Sequence, residues 1–282
     1  MKFQLHLPEP PLSEFIEYFF FYTENQPDHL LERLMPDGAV EMIIDLTEPP
    51  KRLYHNDNLD SFDNFRCAWI SGMRSRYITI DATGETMIVV RFKPGGAGAF
   101  FDFPLSEISD QVIPLDQILG NVICDLRDKL AELPTAEAKF AALSQFFFDR
   151  RRARHLLHPA IRFALQIVRS HPASFTVKQL SESCGISQKH FIQQFRRSVG
   201  QTPKTYSRIM KFQNVLRQIH AEQTIEWAQV AYACDYYDQS HFISEFKRFS
   251  GINPTAYLSH RFSTNGLPRE ELYLSYLSVH PR

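Results

Sequence analysis

The last third of this chain contains the same residue pattern twice, about fifty residues apart. The matched pairs are His190 with His241, Phe191 with Phe242, Phe195 with Phe246, Gly200 with Gly251, Pro203 with Pro254 and Tyr206 with Tyr257. An internal repeat indicates one supersecondary unit used twice, and each copy here reads as helix, turn, helix. Two such units are too few for a solenoid, so the pattern predicts a small all-α domain.

The first copy predicts a short helix over Val177–Cys184, a turn at Gly185 and a second helix that begins after Ser187. Ser187 is suited to the N-cap because its hydroxyl can accept a hydrogen bond from an amide of the first turn. Phe191 and Phe195 lie four residues apart and therefore share one face of that helix. The opposite face carries Lys189, Gln193 and Arg196, flanked by Ile192 and Arg197.

The second copy has the same geometry, with Asp238 as the N-cap. Its inward residues are Phe242, Phe246 and Phe249, and its outward residues are Ser240, Ser244 and Lys247, with Ile243 and Arg248 beside them. Both outward stripes consist mainly of residue types that can hydrogen-bond base edges or phosphates. We therefore predict two recognition helices for double-stranded DNA. Their predicted contact residues are Ser187, Lys189, Ile192, Gln193, Arg196 and Arg197 in the first, and Gln239, Ser240, Ile243, Ser244, Lys247 and Arg248 in the second.

These two copies resemble the tandem helix-turn-helix domain of the AraC/XylS transcription regulators. The resemblance rests on the helix before Gly185, on the run Tyr237-Asp238-Gln239-Ser240-His241-Phe242, and on the closing run Gly251-Ile252-Asn253-Pro254-Thr255-Ala256-Tyr257. It implies that one long helix joins the units and holds their recognition helices in successive major grooves. The family usually has Gly where this chain has Asp235. Because Asp tolerates left-handed backbone better than most residues, we expect only a small cost in stability.

The segment between the copies fits such a joining helix. Pro203 suits its first turn, and His220 lies near its end. Its apolar stripe consists of Tyr206, Ile209, Met210, Val215, Leu216 and Ile219. About eighteen residues at 1.5 Å each span roughly 27 Å, which is the right order for bridging grooves about 34 Å apart.

The formal net charge of -1 conceals two oppositely charged halves. Residues 151–260 carry 15 Lys and Arg against 6 Asp and Glu, whereas residues 1–150 carry 13 against 24. A basic module favours contact with DNA phosphates, and the affinity from such contacts weakens as salt rises. The alternative is a helical bundle with a solvated basic face, which requires neither the repeat nor the caps.

The length of 282 residues suits two domains. We predict a sensor or dimerisation domain over residues 1–150, a linker over 151–157, the helix-turn-helix domain over 158–262 and a C-terminal tail over 263–282. The boundary lies in an arginine-rich run, read as a solvated helix end or an added phosphate contact. No stretch has the eighteen or so apolar residues of a membrane span, and Met1–Pro11 lacks the pattern of a signal peptide, so we expect a cytoplasmic protein without a membrane partner.

The N-terminal half reads as short strands followed by helices, which makes the predicted fold class α+β. The strands are expected over Met42–Leu46, Arg76–Ile80 and Thr86–Phe92, in an antiparallel sheet or small barrel. An apolar stripe from Leu115 to Leu133 predicts a helix that is either a core face or a dimer seam, and another helix contains Phe140. This half resembles the cupin-like sensor domain of AraC-like regulators, in which a helical pair commonly serves dimerisation. The runs that carry the resemblance are Leu34–Gly38 and Val90–Ala97.

The ligand-binding candidates in that half are Arg91 and Lys93. Beside Gly95 and Gly96 they could form an anion site from two cations and backbone amides, although a tight turn after a strand also explains the glycines. The aromatic run Phe15–Tyr22, in a buried helix or strand, fits a ligand cavity or a plain core. The sequence leaves open whether this half senses a small-molecule effector or only dimerises or binds another protein.

An enzyme is the rival class of function. A metal-dependent barrel needs clustered His and carboxylate ligands, but residues 1–150 contain only His6, His29 and His55, which form no cluster in the sequence. The sequence also lacks a nucleophile elbow and a phosphate-binding glycine loop. The four cysteines, Cys67, Cys124, Cys184 and Cys234, have no metal-ligand spacing. Cys184 and Cys234 hold equivalent repeat positions on helix faces that should be buried, so we expect them to serve packing. We therefore predict no catalytic residue, metal or cofactor, and the expected partners are DNA, RNA polymerase, a second copy of the chain and a small-molecule effector.

Overall fold

The structure is a computed structural model that describes residues 2–23, 30–82, 86–152, 157–221, 225–260 and 275–279. It confirms the α+β class, because antiparallel sheets form most of the N-terminal half and helices form the C-terminal half. The strands are β1 (Lys2–His6), β2 (Ile16–Thr23), β3 (Leu31–Leu34), β4 (Val40–Asp45), β5 (Lys51–His55), β6 (Asn58–Phe65), β7 (Ala68–Ser71), β8 (Ile78–Asp81), β9 (Met87–Phe92), β10 (Val112–Pro114) and β11 (Tyr276–Val279). The helices are α1 (Asp116–Leu119), α2 (Val122–Glu132), α3 (Ala136–Arg150), α4 (Pro159–Ser170), α5 (Val177–Ser183), α6 (Gln188–Val199), α7 (Pro203–Ala221), α8 (Trp227–Ala233), α9 (Gln239–Ser250) and α10 (Pro254–His260).

The described strands form two antiparallel sheets. Their orders are β1-β2-β9-β4-β7-β10 and β11-β3-β8-β5-β6. Strands β4, β8 and β9 are the three that the sequence predicts, and β9 lies between β2 and β4, with Val90 opposite both Phe19 and Met42. Pairing on both edges satisfies the backbone donors and acceptors of this buried strand.

Strand β2 accounts for the aromatic run near the N-terminus. Successive side chains of a strand point to opposite faces of the sheet. Phe19 faces the helices, with its ring centroid 6.0 Å from that of Phe147 in α3. Tyr18 and Phe20 line a cavity between the two sheets. The run therefore contributes to the core on one face and to a cavity on the other.

The apolar stripe from Leu115 to Leu133 is not one helix. Gly120 adopts a left-handed φ of 65° and separates α1 from α2. Leu115, Ile123 and Leu130 are fully buried, which favours the core-face alternative over the dimer seam. None of the helices described is long and apolar enough to cross a membrane.

The C-terminal helices form the predicted repeat. Helices α5 and α6 make the first helix-turn-helix unit, α8 and α9 make the second, and α7 joins them. Gly185 and Asp235 occupy the equivalent turns, with left-handed φ values of 66° and 58°. Helix α7 has 19 residues, which corresponds to a length of about 28 Å.

The predicted C-terminal tail over residues 263–282 contains a strand of the N-terminal half. Strand β11 pairs antiparallel with β3 and places Leu277 opposite Arg33. Leu277 is 1% exposed, so this strand belongs to the core of that half. Four residues carry too little periodicity to predict such a strand. The remainder of the tail before Ser275, like residues 153–156 of the predicted linker, lies outside the described residues.

The two halves share one continuous hydrophobic core. Gln201, which follows α6, donates from Nε2 to the Met73 carbonyl at 3.1 Å and to Asp110 at 3.0 Å. Gln213 of α7 donates to the Pro36 carbonyl at 2.7 Å. The segment after β7 and the turn before β4 are therefore bonded to the C-terminal half.

None of the four cysteines forms a disulfide, and two of them lie side by side. The Sγ atoms of Cys67 and Cys124 are 2.9 Å apart, a proximity that their sequence spacing does not reveal. Burial and the neighbouring Cys124 raise the pKa of the Cys67 thiol to about 12. Cys234 is buried as predicted, whereas Cys184 is only half-buried.

Candidate nucleic-acid interface

Helix α6 presents a polar stripe on a buried aromatic base. The His190 amide donates to Ser187 Oγ at 3.3 Å, which confirms Ser187 as the N-cap. Phe191 and Phe195 are fully buried and fix the orientation of the helix. The exposed residues of the predicted set are Ser187, Lys189, Gln193, Arg196 and Arg197, with Ile192 half-buried at their edge.

Helix α9 presents the equivalent stripe in the second unit. The His241 amide donates to Asp238 Oδ1 at 2.7 Å, so Asp238 is the predicted N-cap. Phe242 and Phe246 are fully buried. All six predicted contact residues of this unit are exposed: Gln239, Ser240, Ile243, Ser244, Lys247 and Arg248.

Helix α7 sets the spacing between the two stripes. Near its start, the Tyr206 ring lies 5.9 Å from that of Phe195 in α6. Further along, the Phe212 ring lies 5.3 Å from that of Phe246 in α9. Because one continuous helix packs against both recognition helices, the separation of the stripes is fixed by core packing and not by a loop.

Two cations of α7 bind the second unit. Arg208 forms a two-point ion pair with Glu245, and its Nε donates to Oε2 at 2.6 Å. The two side chains are 28% and 13% exposed, so solvent shields this pair only in part. Lys211 donates to the Asp235 carbonyl at 3.0 Å. Part of the basic charge of α7 is thus used to attach the second unit.

The basic charge is unequally divided between the units. Residues 157–221, which include α4, α5, α6 and α7, carry ten Lys and Arg against one Glu. Residues 225–260, which include α8, α9 and α10, carry two Lys and Arg against four Asp and Glu. The attraction for a polyanion is therefore concentrated on α4, the first unit and the joining helix.

Two tyrosines beside α9 were missed by the sequence analysis. Tyr232 of α8 is 86% exposed, and Tyr237, directly before the N-cap, is 91% exposed. A phenol offers an apolar ring together with a hydroxyl that can hydrogen-bond phosphate. The available signal was their place in the repeat, since Tyr232 corresponds to the polar Glu182 of the first copy and Tyr237 directly precedes the N-cap Asp238.

The structure does not bring Arg91 and Lys93 into one anion site. Arg91 binds three carboxylates, among them Glu41 at 2.7 Å. Lys93 donates to the Ser13 carbonyl. Gly95 adopts a left-handed φ of 83°, as the tight-turn alternative requires.

A cavity of about 120 Å³ lies between the two sheets of the N-terminal half. Its aromatic wall consists of Tyr18, Phe20, Tyr22, Phe65 and Trp69. Charged side chains also line it, among them Asp37, Glu41 and Arg74. Within the described ranges, no group of three or more His, Cys, Asp or Glu residues is placed to hold a metal ion.

Asp37 and Glu41 differ in their proton affinity. Burial alone would raise the pKa of Asp37, but the charges of Arg91 and Arg74 hold it below its usual range. Burial and the negative charge of Asp37 raise the pKa of Glu41. The cavity wall thus combines a carboxylate that stays ionised with one that takes up a proton more readily.

Two sequence families match the chain. Residues 4–114 match a family described as a domain of unknown function, DUF6597. Residues 180–260 match a family described as a helix-turn-helix domain, and this range contains both predicted stripes.

Curated relatives match the C-terminal part. A putative AraC-like transcription regulator of Streptomyces antibioticus is 30% identical over 106 residues, which is 37% of this chain and 35% of that protein. The probable transcriptional regulator LumQ of Photobacterium leiognathi is 33% identical over 82 residues, which is 29% of this chain and 33% of that protein. The chain thus covers about a third of the length of these relatives.

Solved structures resemble the chain at low identity. Unsaturated fatty acid bound wild-type ToxT from Vibrio cholerae strain SCE256 aligns with a TM-score of 0.46 at 10% identity, covering 91% of this chain and 94% of that chain. The C-terminal domain of AraT, a response regulator from Geobacillus stearothermophilus, aligns with a TM-score of 0.36 at 17% identity, covering 41% of this chain and 96% of that chain.

Proposed function

We propose that this chain, whose C-terminal residues form a helix-turn-helix domain of the AraC type, is a sequence-specific DNA-binding transcription regulator. The observation that carries the proposal is the pair of exposed polar stripes on α6 and α9, supported by one helix between them. A bundle with a merely solvated basic face requires neither two capped helices in equivalent positions nor a common support.

In this proposal α6 enters one major groove and α9 enters the next. Gln193 and Gln239 are suited to adenine, which an amide binds at two points, and Arg196 is suited to guanine or phosphate. Lys247 is suited to guanine in the second groove. Because the two stripes differ in sequence, one chain reads an asymmetric site.

The N-terminal half acts in this proposal as a sensor for a small-molecule effector. The cavity between the sheets supports a sensor over a half that only dimerises, because a plain scaffold needs no cavity lined by aromatic and charged groups. In this proposal the protein is a cytoplasmic homodimer that activates transcription through RNA polymerase. It catalyses no reaction.

Enrichment of bound sequences from a random duplex library tests this function. The full chain should select a bipartite, non-palindromic motif with half-sites about ten base pairs apart. If the full chain dimerises, the motif should appear as a duplicated copy. Failure of the full chain to select any motif, with and without cell-extracted small molecules, would overturn the proposal.

Two glutamine variants assign the half-sites. Gln193→Ala should relax base preference in one half of the motif only, and Gln239→Ala in the other half only. Gln145→Ala is the matched control, because Gln145 is an exposed glutamine of α3. Loss of preference in both halves from either single variant would contradict the assignment of one helix to each groove.

A further inference from the structure

The cavity between the sheets contains a buried cation with an unused hydrogen-bond donor. Arg74 is only 6% exposed, and its Nη1 donates to Ser71 Oγ at 2.6 Å. Its Nε is buried without a hydrogen-bond partner. Arg33 has the same property, but its guanidinium lies over the Tyr77 ring outside the cavity lining. Burying a guanidinium without a bound anion costs free energy, so an anion that binds Arg74 would stabilise this site.

The acidic side chains of the cavity are already engaged. Asp37 and Glu41 both bind Arg91. Asp81 accepts from the Tyr54 hydroxyl at 2.7 Å. Glu32 and Lys51 also have interactions. Among the described residues no carboxylate forms an ion pair with Arg74, although its charge helps to lower the pKa of Asp37.

We propose that this cavity binds a compact organic monoanion, with its anionic group on Arg74 and its apolar body against the aromatic wall. The proposal rests on the sensor role given above and names the ligand class for it. A planar guanidinium can hold a carboxylate at two points. The wall formed by Tyr18, Phe20 and Trp69 supplies the apolar contacts.

The volume limits the size of the ligand. A cavity of roughly 150 Å³ holds one benzene molecule, and this cavity measures about 120 Å³. The expected ligand thus has a body of about one aromatic ring or a short branched chain. A long acyl chain exceeds this space.

The same wall is connected to the recognition helices. Arg74 directly follows Met73, whose carbonyl accepts from Gln201 just beyond α6. Asp37 directly follows Pro36, whose carbonyl accepts from Gln213 of α7. A ligand that moves Arg74 acts on the end of α6, so occupancy should alter DNA affinity.

Isothermal titration of the full chain with matched probes tests the proposal. Benzoate should bind with a saturable isotherm, while benzyl alcohol, benzylamine, inorganic phosphate and palmitate should each bind at least tenfold more weakly. These probes separate the anionic group, the apolar body and the size limit. Binding of benzylamine in preference to benzoate would overturn the proposal by assigning recognition to the acids.

Variants locate the binding site. Arg74→Met should weaken benzoate binding at least tenfold, whereas Arg76→Met, at an exposed position two residues away, should leave it unchanged. Val89→Phe fills the cavity and retains the guanidinium, so it should abolish binding even if Arg74→Met fails to fold. Benzoate binding at wild-type strength in Val89→Phe, or no benzoate binding by the wild-type chain, would overturn the proposal. Selection of DNA by the full chain is measured without benzoate. Failure of the ligand proposal can therefore be told apart from failure of the regulator function.

Discussion

The two helix-turn-helix units have the same skeleton and different surfaces. Each has a capped recognition helix whose paired phenylalanines are buried against α7 and its neighbours. The charge differs, with four basic residues against one acidic residue over residues 177–199 and two against three over residues 227–250. The inward positions are constrained by packing, whereas the outward positions are free to take different chemistry. The sequence repeat therefore predicts that the two units share a fold, but it does not predict that they share a binding surface.

This difference divides the expected roles of the two units. The basic first unit is suited to general attraction for the phosphate backbone. The second unit presents exposed groups of low net charge, including Tyr232, Tyr237 and Ile243, which suit contacts at short range. The second unit should accordingly contribute more to discrimination between DNA sequences than it contributes to the total binding affinity.

The largest expected effect comes from the buried aromatics, where the units should behave alike. Phe195→Ala and Phe246→Ala each truncate a fully buried ring, so each should lower the free energy of unfolding by about 3 to 5 kcal/mol. Urea denaturation of the full chain followed by circular dichroism measures both. Ser244→Ala, at an exposed position, is the control and should change stability by less than about 0.5 kcal/mol. A large cost in one unit alone would contradict equivalent packing.

Removal of a recognition-helix charge should distinguish the units. Arg196→Ala should weaken binding to every duplex by a similar factor and reduce the salt slope by roughly one. Lys247→Ala should cost about 1 to 3 kcal/mol on the selected sequence and much less on a scrambled one. Fluorescence anisotropy at several salt concentrations measures both variants.

The control for this comparison is Arg66→Ala, which removes an exposed cation of the N-terminal half. It should leave affinity and salt slope unchanged. Identical salt and sequence dependence for Arg196→Ala and Lys247→Ala would mean that the charge difference between the units has no functional consequence.

The ion pair between α7 and α9 should contribute a smaller free energy to stability. A double-mutant cycle of Arg208→Ala and Glu245→Ala should give a coupling energy of about 1 kcal/mol, because the pair is bidentate and only partly exposed. Lys204→Ala combined with Glu245→Ala is the control cycle, since Lys204 is an exposed cation of the same helix. A coupling energy of zero for the first cycle would mean that this ion pair does not help to attach the second unit, which would leave apolar packing and the Lys211 hydrogen bond.

The smallest effect is expected in the turns. Asp235 has a left-handed φ of 58° where the first unit has Gly185 at 66°. Asp235→Gly should raise the free energy of unfolding by roughly 0.5 kcal/mol, and Gly185→Asp should lower it by a similar amount. Thermal denaturation of both variants measures the pair. A loss of stability in Asp235→Gly would show that the Asp side chain contributes more than its backbone conformation costs.

Local signals explain why the C-terminal half was predicted well. Ser187 and Asp238 are N-caps, which accept hydrogen bonds from amides of the helix that follows. Phe191 and Phe195 follow the helical period. The match of residues 180–260 to a helix-turn-helix family agrees with those signals. The assignment of the exposed stripes to DNA remains a prediction, because exposure is compatible with several partners.

Long-range pairing explains what the sequence could not predict. Strand β6 is mostly exposed and lacks a clear apolar alternation, and β11 finds its partner β3 more than two hundred residues away in sequence. Arg74 is a buried charge in a short connection, where composition favours exposure. The cavity that it lines exists only once two sheets face each other.

The position of β11 also makes the chain cross between the two halves twice. It passes from the N-terminal half to the helices through residues 151–157 and returns through residues 261–275 to a strand of the first half. In topological terms the helical half is therefore inserted between two strands of the N-terminal half. A fragment that ends at residue 152 lacks the strand that carries the buried Leu277.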